Sequence, residues 1–206
     1  MSKIKILIAD DHAVVRMGLS ALFRAKGDLD VVGQARSGEQ AVAEARRLKP
    51  DVIVMDLMMP KMDGIDATRL LRQETPRAKI LILTSFATSD EIARALAAGA
   101  SGAVLKSTEN AELVEAIRRV AAGEPYVSPE IQSLMKSDPP VDALTCRQAE
   151  ILHSLTRGLT NKDIARQLGL SVRSVEEHVN HILERIGAAN RAEAVAIALR
   201  KHLVRA

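Results

Sequence analysis

The chain has 206 residues, of which 47% are apolar, and a formal net charge of +3. This length suits one or two domains, and the single cysteine, Cys146, excludes an intrachain disulfide and a cysteine-based metal site. No apolar run approaches about 20 residues, so the sequence predicts no membrane span. The charged opening is not typical of a signal peptide, and we expect a cytoplasmic protein.

The charge is distributed unevenly along the chain. Residues 143–206 carry ten Lys and Arg against six Asp and Glu, whereas residues 1–142 carry 19 against 20. A basic excess near the C-terminal end favours a nucleic-acid partner for that part, although a solvated basic surface would show the same excess.

The first 123 residues alternate between strand and helix patterns. Five short apolar runs predict strands at about 4–9, 31–35, 52–55, 80–83 and 102–105. Helical periods follow them at about 13–26, 37–48, 65–73, 88–98 and 109–122. This alternation predicts an α/β, flavodoxin-like domain with a doubly wound parallel sheet of five strands in the order 2-1-3-4-5.

In that order the carboxyl ends of strands one, three, four and five lie side by side. They carry Asp10 and Asp11, Asp56, Thr84 and Lys106. Converging carboxylates repel each other unless a cation joins them, and Mg²⁺ that keeps several waters suits two or three carboxylates. One aspartate is then left as a nucleophile toward a phosphoryl donor, with a lysine and a hydroxyl to neutralise the product. His12 is expected to start the first helix and not to bind the metal.

The pattern of the remaining chain predicts a linker followed by helices. Segment 124–142 is rich in proline and predicts a linker with a short helix after Ser128. Residues 143–206 predict a small all-α domain, with four helices that open at Thr145, Thr160, Ser171 and Asn190.

The third of these helices, 172–186, is amphipathic. Its apolar stripe consists of Val172, Val175, Val179, Ile182, Leu183 and Ile186. The helix before it turns through Gly169, as a helix-turn-helix requires. The polar face of the third helix therefore fits either a solvated surface or the DNA major groove.

Residues 3–122 resemble the receiver domain of bacterial two-component response regulators. The likeness is carried by I-x-I-L-I-A-D-D, D-L-M-M-P-x-M-D-G, L-T-S and L-K, which begin at residues 4, 56, 83 and 105. The resemblance implies phosphorylation of Asp56 by a sensor histidine kinase, with Thr84 and Lys106 contacting the phosphoryl group. It also implies a Mg²⁺ ion held by Asp10, Asp11, Asp56 and the backbone carbonyl of Met58. Ala103 departs from the family, which usually has an aromatic residue there.

Residues 143–206 closely resemble the LuxR-type helix-turn-helix of the NarL/FixJ response regulators. The motifs are T-N-K-x-I-A, L-x-L-S, S-V-x-x-H-V and R-A-E-A-V. The resemblance implies DNA contacts by Asn161, Lys162, Ser174, His178 and Arg185. The polar helix face adds Arg173, Glu177, Asn180 and His181 as candidate contacts. Glu176, Glu177 and Asn180 stand where the family is commonly more basic, which implies either a different operator or weakened DNA binding.

Together these features predict a response regulator without enzymatic function of its own. We expect a receiver at 1–123, a linker at 124–142 and a DNA-binding domain at 143–206. Phosphorylation of Asp56 would control binding to promoter DNA, with homodimerisation through the last helix.

Two alternatives remain open at this stage. A metal-dependent phosphatase would use the same residue types, but its nucleophile normally follows the first strand and its substrate needs a cap insertion. A receiver-based interaction protein that has lost DNA binding is the other alternative, and Glu176 and Glu177 are the residues that favour it.

Overall fold

The computed structural model describes residues 3–85, 87–141 and 144–204. The chain divides into two compact units, Met1–Ala87 with Ile92–Asp138 and Thr88–Glu91 with Pro139–Ala206. The predicted boundary between linker and C-terminal domain, at 142 and 143, lies outside the described residues. No helix in the described part of the chain is long and apolar enough to cross a membrane.

The first unit is built on a parallel sheet. Its strands are β1 (Ile4–Ala9), β2 (Leu29–Ala35), β3 (Val52–Met55), β4 (Lys79–Thr84), β5 (Gly102–Leu105) and β6 (Tyr126–Val127). They pair in the order β2-β1-β3-β4-β5-β6, and every neighbouring pair is parallel. The predicted order of the first five strands is confirmed. The sixth strand was not predicted, because two residues are too few to show an alternating pattern.

Helices connect these strands and follow the last one. They are α1 (Ala13–Arg24), α2 (Gly38–Leu48), α3 (Gly64–Glu74), α4 (Ser89–Ala97), α5 (Asn110–Ala121) and α6 (Pro129–Ser137). The hydroxyl of Ser128 accepts a hydrogen bond from the Ile131 amide, and Pro129 occupies the first turn of α6. The segment predicted as a linker thus contains a strand of the sheet and a capped helix.

Apolar side chains cover both faces of the sheet. One buried cluster includes Leu7, Ile53 and Ile80, and a second, on alternate residues of the same strands, includes Ile6, Val52 and Leu81. Every residue of β3 is buried, as expected for a central parallel strand covered on both faces. The burial of this strand fixes the position of the residue that follows it, Asp56.

The second unit contains four consecutive helices. They are α7 (Cys146–Thr156), α8 (Asn161–Leu168), α9 (Val172–Ile186) and α10 (Arg191–Arg200). Thr145 and Thr160 each form a reciprocal capping box with the residue three positions later. One apolar cluster from all four helices, including Ile151, Ile164, Val179 and Ala198, forms their common core.

Candidate functional sites

Four strand ends bring the predicted polar residues together. Backbone hydrogen bonds continue the sheet beyond the strands, from the Asp56 amide to the Ala9 carbonyl at 2.8 Å and from the Lys106 amide to the Thr84 carbonyl at 2.8 Å. We call Asp10, Asp11, Asp56, Thr84 and Lys106 the acidic pocket. Residues far apart in the sequence meet there because parallel strands end at one edge of the sheet.

Lys106 links the two buried carboxylates of the acidic pocket. Its Nζ lies 2.6 Å from Asp10 Oδ2 and 2.8 Å from Asp56 Oδ2. Asp10 and Asp56 are only 2% and 4% exposed, whereas Asp11 faces solvent. Sequence reasoning placed Lys106 beside the phosphoryl position, and the structure shows that the same ammonium also neutralises Asp10.

Burial and charge act against each other on the two ends of this ion pair. Burial raises the pKa of Asp56 above its ordinary value, because the Lys106 ammonium offsets only part of the cost and Asp10 adds repulsion. Burial also opposes the charge of Lys106, but its hydrogen bonds to Asp10 and Asp56 outweigh that effect and raise its pKa. The hydrogen bonds therefore favour the charged form of Lys106, whereas burial and the neighbouring Asp10 disfavour the ionised form of Asp56.

The donor set of the acidic pocket fits a divalent cation. One ligand atom from each of Asp10, Asp11, His12 and Asp56 lies within 4.8 Å of all the others. Three carboxyl groups lie near a single ammonium, and carboxylate oxygens are the ligands that a hard divalent cation prefers. His12 was expected only to start a helix, and its position directly after Asp10 and Asp11 was the sequence signal for a role in this cluster.

The loop after β3 sets the orientation of Asp56. The Met58 amide donates to Asp56 Oδ1 at 3.4 Å, and the Met58 side chain is 59% exposed. Gly64 begins α3 so close to this loop that a Cβ there would lie 2.2 Å from the carbonyl oxygen of Asp56. Only glycine allows the helix to start against the Asp56 backbone.

Thr84 and Ala103 are both buried, Thr84 as the last residue of β4 and Ala103 within β5, paired with Ile82. Thr84 is 1% exposed at the end of β4, and Ala103 is fully buried in β5. The structure therefore brings Thr84 to the same edge as Asp56, and the small Ala103 occupies the position where the resembled family has a larger ring.

Helices α8 and α9 form a helix-turn-helix within the second unit. Gly169 ends α8 in the left-handed region, with φ of 66°. The Ser171 hydroxyl then accepts from the Ser174 amide at 3.0 Å and caps α9. A glycine turn and a serine cap thus fix where the second helix begins.

The buried and exposed sides of α9 follow its sequence period, with one correction. Val175, Val179, Ile182 and Ile186 are buried, but Val172 is 38% exposed. Val172 was predicted to join the apolar stripe. It does not, because it is the first residue of the helix and extends past the core of the unit.

The polar side of α9, here called the α9 face, presents most of the predicted DNA contacts. Its exposed members are Arg173, Glu176, Glu177, Asn180 and His181, while Ser174 and His178 are half-buried. Arg173 Nε lies 3.2 Å from Glu177 Oε1, so the exposed arginine is paired along its own helix. Arg185 instead donates to Gln148 Oε1 on α7 at 3.2 Å.

A cleft beside α9 is lined in part by Arg191, a residue that was not predicted from the sequence to contact DNA. The cleft has a volume of about 620 Å³ and is lined by Gly158, Thr160, Asn161, Lys162, Val172, Glu176 and Arg191. Arg191 donates to Asn161 Oδ1 at 3.3 Å and also to the carbonyl of Leu159. Arg191 was interpreted only as the start of the last helix, since its separation in sequence from Asn161 gave no sign of this contact.

Two family models match the chain. The response regulator receiver domain model matches residues 6–118, and the model of bacterial regulatory proteins of the luxR family matches residues 142–198. The first matches more than half of the chain. It covers β3, β4 and β5 and all of β1 except its first two residues, and these strands end at the acidic pocket.

Relatives and solved structures agree with these matches. Response regulator protein VraR of Staphylococcus aureus is 37% identical over 206 residues, which cover 98% of this chain and 99% of that protein. The crystal structure of response regulator ChrA of a heme-sensing two component system has a TM-score of 0.59 and 34% identity, and covers 99% of this chain and 100% of that one.

A third likeness bears on the fold alone. The structure of an RcsB–DNA complex has a TM-score of 0.70 with 22% identity, and covers 97% of this chain and 99% of that one. Taken with the acidic pocket and the helix-turn-helix, the family matches identify the chain as a member of the two-component response regulators that join a receiver domain to a LuxR-type DNA-binding domain.

Proposed function

We propose that Asp56 is the phosphoacceptor and that its phosphorylation by a sensor histidine kinase controls binding of the second unit to promoter DNA. The observation that carries this proposal is the position of Asp56, which is held by Lys106 at 2.8 Å within a cluster of further carboxylates. We place the receiver at residues 1–123, a linker at 124–142 and the DNA-binding domain at 143–206.

In the proposed transfer, a carboxylate oxygen of Asp56 attacks the phosphorus of a phosphohistidine. The new P–O bond forms as the P–N bond breaks, and the electron pair leaves with the imidazole of the kinase. Lys106 is placed to balance charge on the phosphoryl oxygens, and the Thr84 hydroxyl would donate a hydrogen bond to one of them. Asp10 and Asp11, with Asp56 and the Met58 carbonyl, would hold Mg²⁺, which when bound supplies charge neutralisation at the same oxygens.

DNA binding is assigned to the α9 face and to the start of α8. Asn161 and Lys162 would contact phosphates, while Arg173, Ser174, Glu177, His178, Asn180 and His181 would face the major groove. Arg185 is also a proposed DNA contact. It donates a hydrogen bond to Gln148, which it would share with or exchange for a DNA phosphate. Phosphate contacts position such a helix, and its base contacts determine the sequence that it reads.

A homodimer is proposed for the phosphorylated state. Leu199 is 58% exposed on α10, the helix proposed as the dimer surface, and offers an apolar side chain for that contact. Two helix-turn-helix units would then read half-sites about 34 Å apart, one turn of DNA.

The test is selection of fragmented genomic DNA from the source organism in the presence of Mg²⁺, with and without beryllofluoride as a phosphoryl mimic. We expect discrete fragments to be enriched on activation in the wild type and not in Asp56→Asn. Enrichment that is equal in both proteins would refute control through Asp56.

A second candidate is a receiver that regulates partners by protein contact, with DNA binding lost. It is favoured by one observation, that Glu176 and Glu177 are exposed on α9 and that Glu177 already neutralises Arg173. Absence of any enriched fragment at low salt, in either state, would favour this candidate.

A further inference from the structure

The side chain of His12 does not cap the helix that begins after it. His12 is the N-cap residue of α1, but its side chain makes no capping hydrogen bond. Its Nδ1 lies instead 2.8 Å from Asp11 Oδ1 and 3.4 Å from Asp10 Oδ1. The imidazole is therefore directed toward the carboxylates of the acidic pocket.

Asp10 is contacted from two sides. Its Oδ2 lies 2.6 Å from Lys106 Nζ, and its Oδ1 accepts from the His12 amide at 2.8 Å. The imidazole thus approaches the oxygen of Asp10 that Lys106 does not hold, on the side where Asp11 also lies. His12 and Lys106 thus approach different oxygens of the same carboxylate.

The resulting donor set contains nitrogen as well as oxygen. Ligand atoms of Asp10, Asp11, His12 and Asp56 all lie within 4.8 Å of one another. Ligands about 2.0–2.2 Å from one ion are separated by about 3–4 Å, so small side-chain rotations would bring all four onto a single cation. The His12 side chain is 67% exposed and has room for that rotation.

Magnesium would make little use of such a nitrogen, since it binds oxygen ligands and retains its waters. Imidazole is a preferred ligand of zinc, nickel and related ions. We propose that His12 is an additional metal ligand, which lets the acidic pocket bind a borderline transition-metal ion such as Zn²⁺ or Co²⁺ in competition with Mg²⁺. This inference rests on the proposed function, because it uses the carboxylates assigned there to Mg²⁺.

The test compares two metals on three full-length proteins prepared without metal. Co²⁺ and Mg²⁺ affinities are measured by calorimetry for the wild type, His12→Ala and His153→Gln, with the Co²⁺ absorption spectrum as a second readout. We expect the wild type to bind Co²⁺ more tightly than Mg²⁺. Loss of a direct ligand should cost at least what an outer partner costs, about 10–100-fold in Co²⁺ affinity, with Mg²⁺ affinity unchanged.

His153→Gln removes an imidazole from α7 in the other unit and should leave both affinities unchanged. The ¹⁵N resonance of the His12 imidazole should shift much further with Zn²⁺, through direct coordination, than with Mg²⁺, which would act on the ring only through Asp10 and Asp11. Asp11→Asn should weaken binding of both metals, since its carboxylate is common to the two sites.

Two failures are distinguishable. If Mg²⁺ binds the wild type and Co²⁺ affinity is the same in His12→Ala, the inference is wrong and the proposed function stands. If Mg²⁺ does not bind and Co²⁺ binding still depends on His12, the pocket is a transition-metal site and the assignment of Mg²⁺ is wrong. The Mg²⁺ affinity of His12→Ala also reports whether its pocket is folded.

Discussion

The acidic pocket and the α9 face both present charged groups, but they are built in opposite ways. The pocket collects residues from four strand ends and buries two of its carboxylates against one lysine. The α9 face draws its charges from a single helix and leaves them in solvent, where Arg173 and Glu177 pair at 89% and 61% exposure. Charges in the pocket are thus strongly coupled, whereas those on α9 are screened and act nearly independently.

The largest effect is expected from Lys106→Met. This change leaves Asp10 and Asp56 buried together without their common cation, and breaking a buried pair costs about 3–5 kcal/mol. The free energy of unfolding in urea, without metal, measures the loss. Lys136→Met, at an exposed position of α6, is the matched control. A loss of the same size there would show that Lys106 acts only as an ordinary surface lysine.

The pH dependence of that loss has a defined sign. The raised pKa of Lys106 means that its contribution is fully present below about pH 10.5, the unfolded value, and disappears as pH rises through the folded value. On the acid side the difference between wild type and Lys106→Met should shrink as pH falls through the raised pKa of Asp56, because a protonated carboxyl no longer needs the ammonium.

Gly64→Ala should have the next largest effect. A new Cβ would lie 2.2 Å from the Asp56 carbonyl oxygen and 2.9 Å from Leu57 Cα. Both are backbone atoms, which cannot rotate away from the clash as a side chain can. Overpacking of this kind costs about 1–3 kcal/mol. Chemical denaturation gives the stability, and incorporation of beryllofluoride gives the damage to the pocket. Unchanged values for both would contradict the close approach of α3 to Asp56.

Gly169→Ala tests a glycine of the second unit that is constrained for another reason. Nothing lies within 4 Å of a Cβ at this position, so the cost comes only from its φ of 66°. We expect a loss of about 1–2 kcal/mol. Gly169→Asn should lose less, because asparagine tolerates the left-handed region. Equal losses would mean that space, and not backbone conformation, limits this turn.

Glu177→Gln should change DNA binding without changing stability. An exposed pair four residues apart contributes only about 0.3–0.5 kcal/mol to folding. Release of Arg173 from Glu177 adds one uncompensated cation at the DNA interface, which should steepen the dependence of log affinity on log salt by about one unit. Lys162→Ala should reduce the same slope by about one unit. A slope that is insensitive to both changes would remove α8 and α9 from the DNA interface.

The smallest effect concerns Tyr126, the one tyrosine of the chain. Burial, aided by the hydrogen bond to Glu112 Oε1 at 2.6 Å, raises its pKa to about 12. Folding stability that depends on the neutral phenol should therefore be lost as pH rises from about 10 toward 12. Absorbance at 295 nm follows this titration directly. An ordinary pKa would show that the segment after α5 is not packed on the first unit.

Much of the first unit could be predicted because its signals are local. Short apolar runs gave the five strands, and the handedness of crossovers gave their order, so the positions of Asp56 and Lys106 at one edge followed. Helix starts were equally accessible, since Thr145 and Thr160 carry the residues of a capping box within four positions.

The features that escaped prediction depend on side-chain direction or on distant partners. The place of His12 directly after Asp10 and Asp11 does not fix the direction of its side chain toward Asp11. No pattern in the sequence shows that Arg191 reaches Asn161, or that Arg185 reaches Gln148. Each contact is set by rotamers and by packing of separate elements. β6 was not predicted for a related reason, because its two residues form a strand only by pairing with the neighbouring β5.

That short strand also limits how copies of the sheet can associate. An unpaired strand edge is a template for further strands and so for aggregation. On one side, β6 covers part of β5 and itself offers only two residues for pairing. On the other side, β2 is seven residues long, carries the exposed Asp30, and has a register shift against β1 between Ile6 and Leu7. Growth of the sheet by strand addition is thus disfavoured at both ends, which keeps cross-β association from competing with any dimer formed through helices.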